Sequence, residues 1–382
     1  MQYRKFDKPG FECSTFGMGT MRLPLLKNPD GTTNYQNIDE KEAIRMIRYA
    51  IDNGVNYIDT AYDYHGGNSE RVVGKALKDG YRENVKIATK LPPWHAKVYG
   101  DFDRLLNEQL SKLQVEYIDF YLLHSLSKGS WERLRDLGIL EWLDKAVASG
   151  RICYPGFSFH DDLPAFKDII DSYDWKMCQI QFNFLDEFEQ AGAEGLKYAG
   201  AKGIPMVIME PLRGGKLAAV SPDIQDLWNQ AEVKRSPVEW AFRWIYNFPE
   251  VNVILSGVST MEQLKDNIRI FQDATPNCMS QEELDLVKQV KSLYDSKTKI
   301  DCTACEYCLP CPSGVSIPEI FGIWNDASIF GITKDHYKQY SKLINEEKDA
   351  QQCVECGNCE SACPQHLDII DKLKIADKEL RV

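Results

Sequence analysis

The sequence predicts a (β/α)8, TIM-type barrel followed by a small, mainly helical, cysteine-rich domain. Three observations carry that expectation. Short β-branched or aromatic runs recur about eight times within roughly the first 300 residues, alternating with stretches of helical periodicity, and that number of strand–helix units closes a barrel. Several of the runs stop at a titratable residue, as strands do when they deliver side chains to one rim of a barrel. The cysteines are also uneven: of 12 in the 382-residue chain, eight lie between Cys302 and Cys363.

Taken in order, a hairpin is expected around Pro9-Gly10, and Phe16-Gly17-Met18-Gly19-Thr20-Met21-Arg22-Leu23 supplies the first strand, with close backbone approach at its glycines. Asp39 caps a helix in which Ile44, Ile47 and Ile51 recur at helical spacing and which stops at Gly54. Residues 55–58 form the next strand, and Gly66-Gly67 turn the chain out of Asn56-Tyr57-Ile58-Asp59-Thr60-Ala61-Tyr62-Asp63-Tyr64-His65. Further strands are expected at 85–90, 117–124, 152–159, 178–182, 205–210 and 251–256, with Gly150 and Gly203 stopping helices just before strands. An open, doubly wound sheet is the competing arrangement. No Gly-x-Gly-x-x-Gly turn opens a helix after any strand, which weighs against it. A helical pattern over 281–296 runs into Ser296-Lys297-Thr298-Lys299, so the domains are expected at 1–298 and 299–382.

With 43% hydrophobic residues the chain has material for a sizeable core. No apolar run approaches the length of a membrane span, and the residues after Met1 lack the apolar segment of a secretory signal, so a soluble, cytoplasmic protein is expected. A formal charge of -12 argues against non-specific binding to nucleic acid or anionic membranes, both of which need a positive surface. Cys13, Cys153, Cys178 and Cys278 are scattered and read as reduced core thiols.

The polar strand ends suggest a chemistry. Asp59 and Tyr64 follow one strand, Lys90 ends Ile87-Ala88-Thr89-Lys90, and His124 ends Tyr121-Leu122-Leu123-His124. Any one of them alone reads as a turn cap, a snorkelling lysine or a satisfied core histidine. Four at successive strand ends would share one rim pocket. A phenol of ordinary pKa about 10 shuttles protons near neutrality only when a cation stabilises its phenolate. Lys90 is placed to supply that charge, Asp59 to hold the lysine, and His124 to orient a carbonyl oxygen toward Tyr64. Such a site protonates an oxyanion as hydride arrives on carbon, or runs the reverse on an alcohol.

Asp59-Thr60-Ala61 with Tyr64 five residues after the aspartate, Thr89-Lys90-Leu91 and Tyr121-Leu122-Leu123-His124 resemble the catalytic tetrad of the aldo/keto reductase family. The resemblance continues through Gly156-Phe157-Ser158, Gln179-Ile180-Gln181 and Glu210-Pro211-Leu212, over roughly the first 295 residues. It implies Asp59, Tyr64, Lys90 and His124 as catalytic residues. It also implies a nicotinamide cofactor, NADP(H) or NAD(H), laid across the rim against Gly19, Thr20, Asp59, Ser158, Gln179, Leu212, Gln263 and Asn267. Three departures stand out. Phe159-His160 follows the serine where many members have asparagine, Met209 stands where many have a stacking tyrosine, and Gly257 and Gln263 occupy positions where NADP-preferring members often carry basic residues. A 2′-phosphate needs a cation, and Lys265 or Lys216 is available, which leaves both nucleotides open. The implied substrate is a small carbonyl or alcohol, with Trp94, His95, Trp131 and Phe184 as candidates for lining its pocket.

In the tail, Cys302, Cys305, Cys308 and Cys311 form C-x2-C-x2-C-x2-C-P, and Cys353, Cys356, Cys359 and Cys363 form C-x2-C-x2-C-x3-C-P. The second run is similar to the bacterial ferredoxin pattern, in which three thiolates hold one cubane and the fourth reaches the other cluster. By that logic one [4Fe–4S] cluster takes Cys302, Cys305, Cys308 and Cys363, and a second takes Cys353, Cys356, Cys359 and Cys311. A pair of four-cysteine zinc sites favours separated C-x2-C pairs instead. Residues 318–330 and 334–347 read as helices, with Tyr337, Tyr340 and Ile344 on one face, so a helical ferredoxin-like iron–sulfur domain is expected. Residues 301–382 hold 14 acidic and 8 basic side chains, a solvated face or a docking surface for a redox partner protein.

Two functions follow from these readings. One is an oxidoreductase exchanging hydride between a nicotinamide and a carbonyl or alcohol. The other is an electron-transfer module whose barrel binds a cofactor while the clusters pass single electrons to a partner. No flavin fingerprint is present to split a hydride pair into single electrons, so barrel and clusters are expected to work separately.

Overall fold

The computed structural model describes residues 1–28, 31, 33–302, 307–363 and 365–381. Packing divides the chain into two compact units, Met1–Leu217 with Val238–Gln281 and Ala218–Pro237 with Glu282–Val382.

The first unit is a closed barrel of eight parallel strands: β1 (Phe16–Gly19), β2 (Tyr57–Asp59), β3 (Lys86–Leu91), β4 (Ile118–Leu126), β5 (Ile152–Phe159), β6 (Met177–Gln181), β7 (Met206–Met209) and β8 (Val251–Gly257). Each strand pairs with the next in sequence, and β8 closes on β1 with Ile254 opposite Phe16 and Gly257 opposite Gly19. Helices cover the outer face of such a sheet, so its strands are buried on both faces and read as unbroken apolar runs. In β4, Ile118 through Leu123 are all buried. Helix α1 (Glu40–Asp52) starts where the Asp39 carboxylate accepts from the Glu42 N–H at 3.1 Å, and Gly54 follows it at φ 92°. Its buried stripe is Ala43, Met46, Ile47, Ala50 and Ile51, leaving Ile44 half-buried on the flank.

An antiparallel hairpin of Tyr3–Phe6 and Phe11–Ser14 plugs the barrel at the strands' N-terminal end. Phe6 stacks on Phe11 and meets Phe120 edge-on, with ring centroids 5.6 Å apart in each case, and reaches Tyr57, the first residue of β2. The opposite rim, where the strands end, carries the polar residues. A second hairpin, Leu25–Lys27 with Thr33–Ile38, lies in the loop between β1 and α1.

The second unit is helical. Its apolar core gathers Ile320, Phe321 and Trp324 of α2 (Ile317–Phe330), Tyr340 and Leu343 of α3 (Lys334–Asn345) and Leu373 of α4 (Ile369–Leu380). Buried polar ends find partners: Trp324 Nε1 donates to Glu379 at 2.7 Å and Tyr340 Oη to Asp377 at 2.5 Å. Among the described residues no helix is long and apolar enough to cross a membrane.

Candidate active site

β2 ends on Asp59, β3 carries Lys90 one residue before its end, and β4 carries His124. Strand geometry brings the first two together: Lys90 Nζ lies 2.7 Å from Asp59 Oδ1, with side chains 1% and 3% exposed. The ammonium also donates to the Thr60 carbonyl at 2.8 Å and to Tyr64 Oη at 3.4 Å. His124 joins by ring contact, edge-on to Tyr64 with centroids 6.0 Å apart. Beyond it, Trp94 packs on His124 at 5.2 Å and is anchored through Nε1 to Asp63 at 2.9 Å, which also meets His95.

Electrostatics sets the protonation states. Burial opposes charge on Lys90, but Asp59 and Tyr64 outweigh it and hold the ammonium above its ordinary pKa. For Tyr64 the balance differs from the sequence expectation: burial pushes the phenol up by more than Lys90 pulls it down, and Asp59 adds to the rise. Tyr64 therefore rests protonated, an acid awaiting an oxyanion. Burial first, then the charge of Lys90, hold His124 well below its ordinary value, so its imidazole is neutral.

That last shift predicts acid sensitivity. An unfolded histidine, with a pKa of about 6.5, takes up a proton that folded His124 refuses, so below that pH the unfolded state binds more protons and stability falls. Tryptophan-monitored urea unfolding of the barrel between pH 7 and pH 5 is expected to lose up to about 1.4 kcal/mol per unit more in the wild type than in His124→Gln. Parallel curves for the two proteins would contradict it.

The residues implied for cofactor binding divide into two groups. Gln179 Nε2 touches Met209 Sδ at 3.4 Å while its Oε1 is buried without a partner among the described residues, and Asp59 Oδ2 is in the same position. A buried amide oxygen left bare is costly, which suits a site that receives an amide N–H from a bound molecule. Others are engaged inside the protein. Thr20 gives both its N–H and its hydroxyl to the Asp59 carbonyl at 2.9 Å, tying β1 to β2. Ser158 Oγ accepts from the Ser125 N–H at 2.7 Å, Gln263 Oε1 from the Ser259 N–H at 2.9 Å, and Asn267 donates to Ser256 Oγ at 3.0 Å. Gly19 sits beside the backbone of Ser256 and Gly257, and Leu212 is half-buried in the loop after β7.

Phe159 is wholly buried and packs on Phe166 at 5.2 Å, away from the rim. Trp131 corrects its expectation as a pocket residue. It is 1% exposed and packs edge-on to Trp175, whereas Trp94 is 48% exposed. Sequence reasoning passed over Arg22. The exposed side chain of this residue lies against Gly257, and its Nη2 comes within 3.3 Å of where a Cβ on Gly214 would stand, so it bridges the loops after β7 and β8.

In the helical unit, Cys308, Cys311, Cys353, Cys356 and Cys359 line one cavity of about 190 Å³, together with Tyr307, Leu309 and Val354. Cys302 and Cys363 pack against the helical core, and Cys305 lies outside the described residues. The described cysteines form no disulfide. Among the described residues no three His, Cys, Asp or Glu side chains are gathered tightly enough to hold a single metal ion. Thiols spread around a cavity suit a multi-iron cluster, in which each iron takes its own thiolate.

A model of the Aldo/keto reductase family matches residues 15–292, and one of a 4Fe-4S dicluster domain matches residues 301–367. The chain is 37% identical over 132 residues to the aldo-keto reductase YhdN of Bacillus subtilis, an alignment spanning 32% of this chain and 38% of that protein. Among solved structures, the holo form of aldo-keto reductase AKR11C1 from Bacillus halodurans is similar with a TM-score of 0.63 and 24% identity, over 76% of this chain and 96% of that one. An aldo-keto reductase from Klebsiella pneumoniae in complex with NADPH is similar with a TM-score of 0.58 and 22% identity, over the same shares of the two chains. At those identities the structural likeness is one of fold.

Proposed function

Because the chain belongs to the aldo/keto reductase family and carries a 4Fe-4S dicluster domain, we propose that its barrel reduces a small carbonyl compound with a nicotinamide dinucleotide, or runs the reverse on an alcohol. The observation that carries this reading is the buried Asp59–Lys90 ion pair with the half-buried Tyr64 hydroxyl beside it at the open rim, the phenol held protonated.

The residues divide the work as follows. A nicotinamide held at the rim would supply hydride to the carbonyl carbon. His124, neutral, offers an N–H that orients the carbonyl oxygen toward Tyr64. Tyr64 gives its proton to that oxygen as negative charge develops there, and the Lys90 ammonium stabilises the phenolate left behind. Asp59 fixes the ammonium and keeps it charged. Trp94, lying across His124, narrows the mouth and sheds water from the reacting oxygen. Gln179 Oε1 would take a carboxamide N–H, Gly19 and Leu212 would line the cradle, and Thr20, Ser158, Gln263 and Asn267 would contribute to it only alongside the internal hydrogen bonds they already make. Arg22 is the guanidinium we assign to phosphate oxygens, ahead of Lys216 or of Lys265, which lies over the Tyr49 ring. If Arg22 meets the 2′-phosphate, which NAD(H) lacks, it would select NADP(H), the nucleotide bound by the Klebsiella pneumoniae reductase.

We take residues 299–382 as the iron–sulfur domain, holding two [4Fe–4S] clusters. Cys302, Cys305, Cys308 and Cys363 would ligate one, and Cys311, Cys353, Cys356 and Cys359 the other. All four cysteines of the second set line one cavity, which supports grouping them, and Cys308 of the first set lines it too, so the two clusters would lie close together there. Cys356 and Val354 are exposed there, which leaves that cluster open to a redox partner protein. The test is stoichiometric. Anaerobically purified protein should oxidise one NADPH or NADH for each carbonyl consumed, and nucleotide oxidation that leaves every aldehyde, ketone and quinone untouched would overturn the reading.

A further inference from the structure

His65 follows Tyr64 directly and has no part in the proton chemistry proposed above, yet it is 1% exposed. Its backbone is left-handed, φ 54°, as are those of Gly66 and Gly67 at 63° and 88°. Only the first of these three positions carries a side chain; histidine tolerates that conformation better than most L residues, and here contacts of its side chain hold it in addition. The contacts come from the second hairpin. His65 Nδ1 lies 2.7 Å from the Tyr35 carbonyl oxygen, and the imidazole stacks on the Tyr35 ring with centroids 4.4 Å and planes 21° apart. Asn68 Nδ2 donates to the Gln36 carbonyl at 3.2 Å, and a Cβ on Gly66 would come within 2.9 Å of the Gln36 side chain. A carbonyl oxygen only accepts, so Nδ1 bears the proton. Burial keeps the ring below its ordinary pKa despite the Tyr35 and Thr20 carbonyls, so Nε2 is bare.

We propose that His65 is a positioning residue for Tyr64: its ring clamps the Tyr64–Gly67 turn to the hairpin and so holds the phenol 3.4 Å from Lys90 Nζ. A glycine would take up the same backbone more readily but would offer the hairpin neither a ring nor an N–H. Without the clamp the turn gains freedom, Tyr64 Oη drifts from the ammonium, and the phenol loses the cation that favours its phenolate.

The proposal rests on the tetrad reading above, and the experiment separates the two. Full-length, cluster-loaded wild type, His65→Gly, His65→Asn, Tyr35→Ala and Tyr64→Phe are compared with NADPH and benzaldehyde as probes. Ring-13C tyrosine spectra are recorded against pH, the Tyr64 resonance being the one missing in Tyr64→Phe. In His65→Gly the Tyr64 titration is expected to move upward and kcat to fall at least about tenfold, while KM for NADPH stays within about twofold. His65→Asn, which tolerates the left-handed conformation and can present an amide N–H to Tyr35, should recover part of kcat. Tyr35→Ala, at an exposed position, should lower kcat from the hairpin side even if His65→Gly fails to fold. An unmoved Tyr64 titration in His65→Gly, or wild-type kcat in both it and Tyr35→Ala, would overturn the clamp. If the wild type itself reduces no aldehyde, the tetrad reading fails and the Tyr64 titration alone still decides for or against His65.

Discussion

Tyr64→Phe is expected to lower carbonyl turnover by about 10²- to 10⁴-fold, the range that positioned proton transfer contributes, while NADPH binds as before. The change removes one hydroxyl and leaves the rest standing, since Lys90 keeps its 2.7 Å contact to Asp59 and its 2.8 Å contact to the Thr60 carbonyl. The phenylalanine ring fills the same space against His124. What is lost is the proton. In the wild type the phenol holds its proton at neutral pH, the more firmly because burial raises its pKa above the ordinary value, so the donor is loaded before the carbonyl arrives. Steady-state kinetics with NADPH and benzaldehyde, beside a fluorescence titration of NADPH, measures both halves. A loss below about tenfold would assign the proton to another group, and a lost nucleotide affinity would make Tyr64 a binding residue instead.

Cys356→Ala should purify anaerobically with about half the iron and sulfide of the wild type, which is expected to hold about eight of each. Cys356 lines one cavity with Cys311, Cys353 and Cys359 of its proposed set and with Cys308 of the other, so on the proposed ligation its loss opens one cluster. Cys363 is 9% exposed and lies in the helical core, and Cys363→Ala should remove the other cluster. Electron paramagnetic resonance after dithionite reduction should then show one spin system in each variant where the wild type shows two interacting ones. Full iron in Cys356→Ala would break the assignment, as would zinc in place of iron.

The barrel was legible because its strands are buried on both faces. β5 was placed at its observed bounds, 152–159, and β4 and β8 within a few residues, since an apolar run with one polar terminus leaves little choice. The hairpin over His65 was invisible for the opposite reason. Thr33–Ile38 reads T-N-Y-Q-N-I, exposed at every position but the last, and no alternation marks it as a strand. That hidden element is what makes His65 intelligible. The helix Ile369–Leu380 does carry a readable stripe in Ile369, Leu373, Ala376 and Leu380.

Within the site, the proximity of Asp59, Tyr64 and Lys90 followed from strand ends alone. Their protonation did not. Whether Lys90 or burial prevails at Tyr64 depends on how deeply the phenol is enclosed, a property of the packed rim rather than of residue spacing. Thr20 and Ser158 look from sequence like groups free for a ligand, yet their hydroxyls are engaged in tying neighbouring strands together. Trp131 likewise faces Trp175 in the interior, because its helix turns the indole inward.

The most direct measurement of the central claim follows the hydrogen itself. Protein turning over benzaldehyde with NADPH deuterated on one face of nicotinamide C4 should place deuterium on the carbinol carbon from one face only, with solvent hydrogen on the oxygen. Deuterium that stays with the nucleotide on both faces, or that washes into solvent, would mean that this barrel does not exchange hydride between nicotinamide and carbonyl.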